Sequence, residues 1–259
     1  MGLQPLQSAC GSQPTVIRLA IAVFWLLHLL PLRLLAPLGR GVGLLAYALA
    51  GRRRRVTLTN LRLCFPQLSK VERHQLARTH FQVLARSFLE HAYLWWSPRE
   101  QVQKLVRVEG LEHWRTVEGK PVIWLAPHFV GLDMGGSRIV SEWRAVSVYS
   151  KQKNPVIDRL VLHGRTRFVT PLLYSRQDGI RPVVKTMREG VPFYYLPDQD
   201  LGERDSIFVP FFGVNTATIT GLARLARLAR AVVVPAVTRQ LPGAQGYELR
   251  FRSEEHTSE

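Results

Sequence analysis

The sequence predicts an α/β protein: a mixed central sheet with helices on both faces, preceded by an N-terminal membrane-anchoring helical segment. Three observations point there. From residue 102 onward, short apolar runs alternate with helical patterns. The run Val232-Val-Val-Pro-Ala-Val237 is apolar throughout, as suits a strand covered on both sides. Before the alternation, the N-terminal stretch is dominated by apolar residues up to Arg52-Arg-Arg-Arg55. The chain divides accordingly into a tail and anchor over 1–50, an α/β domain over 51–251 and a short tail over 252–259.

Residues 16–38 are mostly apolar, interrupted by Arg18, His28 and Arg33. Their cleanest core, Leu19 to Leu32, is short for an unaided transmembrane helix, which needs about 20 residues. Residues 41–50 form a second apolar stretch. The Arg52–Arg55 cluster falls on the cytoplasmic side by the positive-inside rule, and would attract anionic headgroups by roughly 1 kcal/mol per residue. A cleaved signal peptide fits less well, because no basic region precedes a short apolar core and no small-residue cleavage site follows one. Pro31 and Pro37 weaken any long helix. Spanning and interfacial anchors therefore both fit, and a core helix of a soluble protein passes the same composition test.

Residues 69–96 read as a helix, opening with Ser69 as N-cap and Glu72 at the capping-box spacing. Leu76, His80, Phe81, Leu84, Phe88, Leu89 and Ala92 recur at helical intervals, as a face packed on the main domain would. The alternation then runs as follows: strand 102–108, helix 111–118, strand 122–125, helix 133–140, strand 145–149, helix 155–168. It continues with an extended piece 169–174, helix 180–189, strand 191–196, an extended piece 207–212, helix 216–230 and strand 232–237. In the last of these helices Leu222, Leu225, Ala226 and Ala229 form a core face. Arg224, Arg227 and Arg230 form a row that is solvated or turned to anions. The end, Arg252-Ser-Glu-Glu-His-Thr-Ser-Glu259, has no apolar residue and resembles the in-frame translation of a sequencing-library adapter. The native sequence is then expected to stop near Phe251, short of its true C-terminus, and His256 carries no functional argument.

The formal net charge is +16, which implies an anionic partner: nucleic acid, anionic lipid or a phosphorylated substrate. A nucleic-acid-binding protein is disfavoured, because the basic clusters lack a recognisable motif or interleaved stacking aromatics. Two cysteines, Cys10 and Cys64, make a disulfide framework unexpected and suit a reducing compartment. No ligand-like spacing of His or Cys points to a metal, and no cofactor is called for.

The chemistry centres on Ala126-Pro-His-Phe-Val-Gly-Leu-Asp-Met-Gly-Gly136. A strand running into His128 and a helix starting near Asp133 would bring imidazole and carboxylate to one end of a sheet. An imidazole whose second nitrogen is held by a carboxylate is a general base near neutral pH. Gly131, Gly135 and Gly136 would let a substrate approach the backbone. The plainer reading is a surface His and an N-capping Asp.

This stretch resembles the H-x-x-x-x-D/E motif of the glycerolipid and lipid A acyltransferase superfamily. Further blocks are similar to the lipid A biosynthesis acyltransferases of Gram-negative bacteria, which add late, secondary acyl chains. These blocks are Asn60-Leu-Arg-Leu-Cys-Phe-Pro66, Tyr149-Ser-Lys-Gln-Lys-Asn-Pro-Val-Ile-Asp158, Gly164-Arg-Thr-Arg167, Tyr194-Tyr-Leu-Pro-Asp-Gln-Asp200 and Phe208-Val-Pro-Phe-Phe-Gly213. The resemblance spans roughly residues 50–251. It implies transfer of a fatty acyl chain from an acyl carrier protein thioester to a hydroxyl of a lipid A precursor, at the cytoplasmic face of a bacterial inner membrane. The same chemistry on another glycolipid, phospholipid or ornithine lipid stays open. His128 would be the base and Asp133 its partner, where many relatives carry Glu. Arg165 or Arg167 would bind anionic groups or the oxyanion; solvated charge on a helix end explains them equally plainly. Asp198 and Asp200 would orient an arginine or a substrate hydroxyl, or simply form a turn after Pro197. Lys151 and Arg204 complete the set as phosphate or carboxylate binders.

Overall fold

The structure is a computed structural model that describes residues 15–168, 172–175, 178–199, 202 and 206–253. Three helices, α1 (Thr15–Leu27), α2 (Leu32–Leu49) and α3 (Gly51–Cys64), lead into the long α4 (Lys70–Trp96). Then follow α5 (Arg99–Leu105), β1 (Val106–Glu109), α6 (Leu111–Arg115), β2 (Val122–Leu125), α7 (Leu132–Val140), β3 (Val146–Tyr149), α8 (Pro155–Thr166) and β4 (Leu172–Ser175). The chain continues through α9 (Arg181–Arg188), β5 (Phe193–Tyr195), β6 (Ser206–Phe211), β7 (Val214–Ile219), α10 (Gly221–Ala229), β8 (Val232–Gln240) and β9 (Tyr247–Phe251).

Seven strands form one sheet in the order β1-β9-β8-β2-β5-β3-β4. The pairs β8–β2, β2–β5, β5–β3 and β3–β4 are parallel, while β9 runs antiparallel to β8. The sheet is therefore mixed, as expected. Successive residues of β2 point into two different cores: Val122 and Trp124 into one, Ile123 into the other. Helices α5 and α7 cover the first core with Val102, Leu105, Met134 and Ile139. The second is covered by α9 and α10 through Val183, Met187, Leu225 and Ala229. Leu225 and Ala229 are thus a core face, and Arg224, Arg227 and Arg230 are exposed.

Several expected elements shift. Residues 102–105 are helical, because Val102 and Leu105, three apart behind Pro98, fall on one buried helical face. The helix expected from residue 216 begins at Gly221, since Thr216 and Thr218 pair with Val209 and Ile207 in a separate β6–β7 hairpin. Strand β9 extends the sheet beyond the last expected strand. In α4 the capping box forms as read, Glu72 N–H donating to Ser69 Oγ at 3.2 Å. Its buried face, however, carries Arg86, Ser87 and Glu90 beside Phe81 and Ala92, while Leu84 and Phe88 are exposed. Glu90 is fully buried and held by Arg86 Nε at 2.7 Å and the Tyr247 hydroxyl at 2.5 Å. Arg86 also donates to the Leu241 carbonyl at 2.9 Å, so α4 is pinned to the β8–β9 turn.

At the N-terminus, the apolar run expected to be the anchor's core is broken by a turn at 28–30, and Pro31 starts α2 instead. Helix α2 is long and apolar enough, by length and composition, to cross a membrane. It lies antiparallel along α4. A Cβ on Gly39 would come within 2.5 Å of the Arg86 Cα, and one on Gly43 within 2.4 Å of the Gln82 Cα. The two helices touch backbone to backbone, which only glycine spaced four apart permits.

Candidate active site

Strands β2 and β5 are parallel neighbours in register Leu125↔Tyr195. Beyond that pair each strand runs on to a proline, Pro127 and Pro197, which supplies no N–H to a ladder and ends the pairing. The next residues are His128 and Asp198. Equal offsets past one registered pair put them side by side at the carboxyl edge of the sheet. His128 Nδ1 lies 2.6 Å from Asp198 Oδ1, and the His128 backbone N–H donates to Oδ2 at 2.6 Å. The Gln199 side-chain amide meets the other ring nitrogen, Nε2, at 3.0 Å.

This geometry fixes the tautomer. Asp198 Oδ1 accepts a hydrogen bond from Nδ1–H, which leaves Nε2 as the nitrogen that faces the Gln199 amide and the cavity. Burial raises the Asp198 pKa, but the two hydrogen bonds from His128 outweigh it and the net shift is downward.

Asp133 stands in the first turn of α7 and does not fill the place expected for it. Its Oδ1 accepts from Arg165 at 2.9 Å, and its Oδ2 lies 3.2 Å from His91 Nε2. The carboxylate on the His128 ring is Asp198. The reason is reach: His128 sits on the extended segment that continues β2, alongside the segment that continues β5, whereas Asp133 has entered the helix and turned towards α4 and α8.

His91, on α4, had no local sequence signal. Its Nδ1 is 2.7 Å from the Ser87 carbonyl oxygen. A carbonyl and a carboxylate are both acceptors, so both ring nitrogens must carry protons and His91 is an imidazolium. Burial works against that charge, but the Asp133 hydrogen bond and charge outweigh it and the pKa is raised. For Asp133, burial raises the pKa, and the His91 hydrogen bond with the Arg165 charge overrides it, holding the carboxyl far below the usual range.

Arg165 reaches Asp133 because α8 is set by its own sequence. Asn154 caps it, accepting from Val156 N–H at 2.9 Å, and Pro155 follows at the first turn. Asp158 accepts from Gln152 N–H at 2.6 Å and from the Tyr149 hydroxyl, closing the loop from β3. A Cβ on Gly164 would sit 2.0 Å from the Trp95 ring, so α8 lies directly against α4.

A cavity of about 620 Å³ opens at this edge of the sheet. His128, Asp133, Arg165 and Gln199 line it together with a long apolar wall that includes Ile139, Val140 and Ala145. Carboxyl ends of parallel strands are the usual place for an α/β site. Lys151 is exposed between the cavity-lining Ser150 and Gln152. Arg167 turns elsewhere: it donates to the Leu94 carbonyl at 2.7 Å and to that of Ser97, closing the end of α4. It serves packing in place of the expected anion, because the last carbonyls of α4 need donors. Asp200 and Arg204 lie outside the described residues. Of the three glycines expected to admit substrate, only Gly136 lines the cavity; a Cβ on Gly135 would meet Thr238 Oγ1 at 2.0 Å, and one on Gly131 the Tyr247 ring at 3.0 Å. Among the described residues no group of three or more His, Cys, Asp and Glu is placed to hold a metal ion.

A family model described as bacterial lipid A biosynthesis acyltransferase matches residues 12–259. The chain is 35% identical over 234 residues to the lipid A biosynthesis lauroyltransferase of Escherichia coli K12, covering 89% of this chain and 76% of that protein. It is 33% identical over 238 residues to a lipid A biosynthesis acyltransferase of Haemophilus influenzae, covering 91% and 74%. Against the lipid A biosynthesis palmitoleoyltransferase of Escherichia coli K12 the identity is 30% over 232 residues, covering 88% and 75%. With a family match over nearly its whole length and relatives at 30–35% identity, this chain belongs to the bacterial lipid A biosynthesis acyltransferases, and it is an acyltransferase.

Proposed function

We propose that the protein moves a fatty acyl chain from an acyl carrier protein thioester onto a hydroxyl of a lipid A precursor, with His128 as base. The observation that carries this is the Asp198-held imidazole of His128, whose Nε2 meets the Gln199 amide at the mouth of an apolar-walled cavity. The acceptor hydroxyl takes the place of the Gln199 amide. Its oxygen attacks the thioester carbonyl while Nε2 removes its proton. Asp198 keeps Nδ1–H in place and stabilises the imidazolium that forms. Arg165, lining the cavity, offers its guanidinium to the tetrahedral oxyanion. The carbon–sulfur bond then breaks, and the departing thiolate takes the proton back from Nε2. Asp133 and His91 hold Arg165 in position. The acyl chain lies along Ile139, Val140 and Ala145.

The donor is recognised as an acidic protein by the basic surface, and the acceptor by its phosphates, for which Lys151 lies at the rim. The site works at the cytoplasmic face of an inner membrane, with the Arg52–Arg55 cluster towards anionic headgroups. The N-terminal helices lie in the interface. Helix α2 is packed along a partner that carries His74, Arg78, Arg86 and Glu90; Tyr47 bonds to His74 at 2.8 Å and stacks under Arg78 at 5.6 Å. A helix so committed does not leave for the hydrocarbon alone. Carbonate at high pH would release an interfacial anchor and leave a spanning one in the membrane.

The deciding experiment is mass spectrometry of lipid A from a strain lacking the late acyltransferases that expresses this protein, beside the same strain with His128→Ala. One added acyl chain with the first and none with the second supports the reading. An unchanged lipid A, with labelled chains on another lipid, moves the acceptor elsewhere. Turnover near the wild-type rate in His128→Ala removes the base.

A further inference from the structure

The β6–β7 hairpin stands apart from the main sheet and is exposed on both faces. Isolated two-stranded hairpins are marginal in water, so something must cover this one. Its two-residue loop is Phe212-Gly213, with φ of 51° and 76°, between the last pair Phe211↔Val214. Both central residues are left-handed, which calls for Asn or Asp followed by Gly. A phenylalanine there is strained, and the strain places a large apolar ring at the apex. Ile207, Phe208, Phe211 and Phe212 are each more than half exposed. From Ser206 to Ile219 there is not one charged side chain.

The apex is continuous with the N-terminal anchor. The Phe212 ring lies 5.1 Å from that of Phe65, the residue that ends the helix α3 on which Arg52 to Arg55 sit. At its other end the hairpin reaches the site, since Ile219 lines the cavity.

We propose that the tip of this hairpin inserts into the lipid bilayer beside the N-terminal helices, as a second anchor that seats the cavity mouth on the membrane. The occupant is lipid and not an acidic protein, because a surface that docks an acidic protein carries lysines or arginines, and the hairpin carries none. Freedom from charge is what hydrocarbon demands. The Arg cluster on α3 meets the headgroups while the rings of Phe211 and Phe212 go deeper. This inference does not depend on the acyl-transfer reading, since lipid binding is read without turnover.

The test uses the full chain with Cys10 and Cys64 replaced by Ser and one new cysteine carrying an environment-sensitive fluorophore, at Phe212→Cys or at Lys120→Cys. Lys120 is exposed just before β2, at the opposite end of that strand from His128. Vesicles of phosphatidylcholine and phosphatidylglycerol are added. The label at 212 is expected to shift to the blue and to be quenched by nitroxide lipids, and the label at 120 to do neither. A label at 212 that stays aqueous on vesicle-bound protein overturns the proposal, and so does a blue shift at 212 without vesicles that accompanies dimer formation. In the unlabelled chain, Phe211→Ser with Phe212→Ser is expected to weaken vesicle binding roughly tenfold or more, with the loss persisting at high salt because no charge is added or removed. Unchanged binding by a folded double variant sinks the idea.

Discussion

Asp198 holds His128 twice, through the imidazole Nδ1 and through the backbone N–H, both at 2.6 Å. Ring and chain are gripped by one carboxylate, which leaves the imidazole neither its second tautomer nor a rotation away from the cavity. Asp198→Asn removes the preference for Nδ1–H. Turnover is expected to fall by about 10²–10⁴-fold with little change in melting temperature, as read by initial rates and thermal unfolding. An activity within a few-fold of wild type would assign Asp198 to turn formation alone.

Asp133 sits between two cations, and its loss is expected to act differently. Asp133→Ala leaves His91 and Arg165 facing each other without a counter-charge. Because the carboxylate keeps 38% exposure, screening limits the effect to about 1–2 kcal/mol of stability. Denaturant unfolding checks the stability, and the KM for the acceptor should rise with it as Arg165 drifts. Asp133→Glu, which keeps the carboxylate between the two cations, is expected to restore both.

The charge on His91 carries a pH signature. Its folded pKa is raised, so its contribution is complete below the unfolded value of about 6.5 and is lost as pH rises through the folded value. Asp133 is depressed, so its contribution is complete above about 3.9 and is lost only as pH falls through its folded value. The melting temperature of the wild type should therefore decline as pH is raised above neutrality. In His91→Gln, which still donates to Asp133 but cannot charge, that decline should flatten. Parallel pH profiles for the two proteins would show that His91 is neutral throughout.

On the proposed placement of the acyl chain, the apolar wall would set the length that fits. Ala145 lines the cavity and is almost fully buried. Ala145→Met fills that part of the wall, and donor preference is expected to move to shorter acyl chains in a competition between acyl carrier proteins loaded with different lengths. The rate on the shortest donor should stay within a few-fold of wild type.

Gly39→Ala brings a methyl to 2.5 Å from the backbone of α4, where no flexible side chain can yield. The two helices must separate, at a cost of roughly 1–3 kcal/mol, which thermal unfolding in detergent would detect. Gly41→Ala, two positions on with open space around it, should be neutral or slightly stabilising.

Local signals were legible where one short segment decides the outcome. The strand at Val122–Leu125 and the capping box at Ser69 and Glu72 both formed as read. Pairings across long separations were not. His91 and Asp133 are 42 residues apart, and no local spacing connects a mid-helix histidine to the start of another helix. The His128–Asp198 pair spans 70 residues, yet it left a trace: two apolar strands, each ending in X-Pro and then a polar residue. Read as parallel neighbours, those strands would have named Asp198 instead of Asp133. The β6–β7 hairpin was half missed because its second strand is rich in threonine and lacks an apolar alternation, so only pairing with the first strand reveals it.

Helix α4 is one uninterrupted rod of 27 residues. Along it lie the glycine-matched contact with α2, the buried Arg86 and Glu90, and then His91 within reach of Asp133. Its final turn carries Trp95, against which both Phe24 and Gly164 lie. The N-terminal helices are consequently no removable leash. Trimming residues 1–64 to obtain a soluble catalytic fragment would strip one whole side of the beam that carries the site, and the fragment's failure would be one of architecture, whatever the detergent.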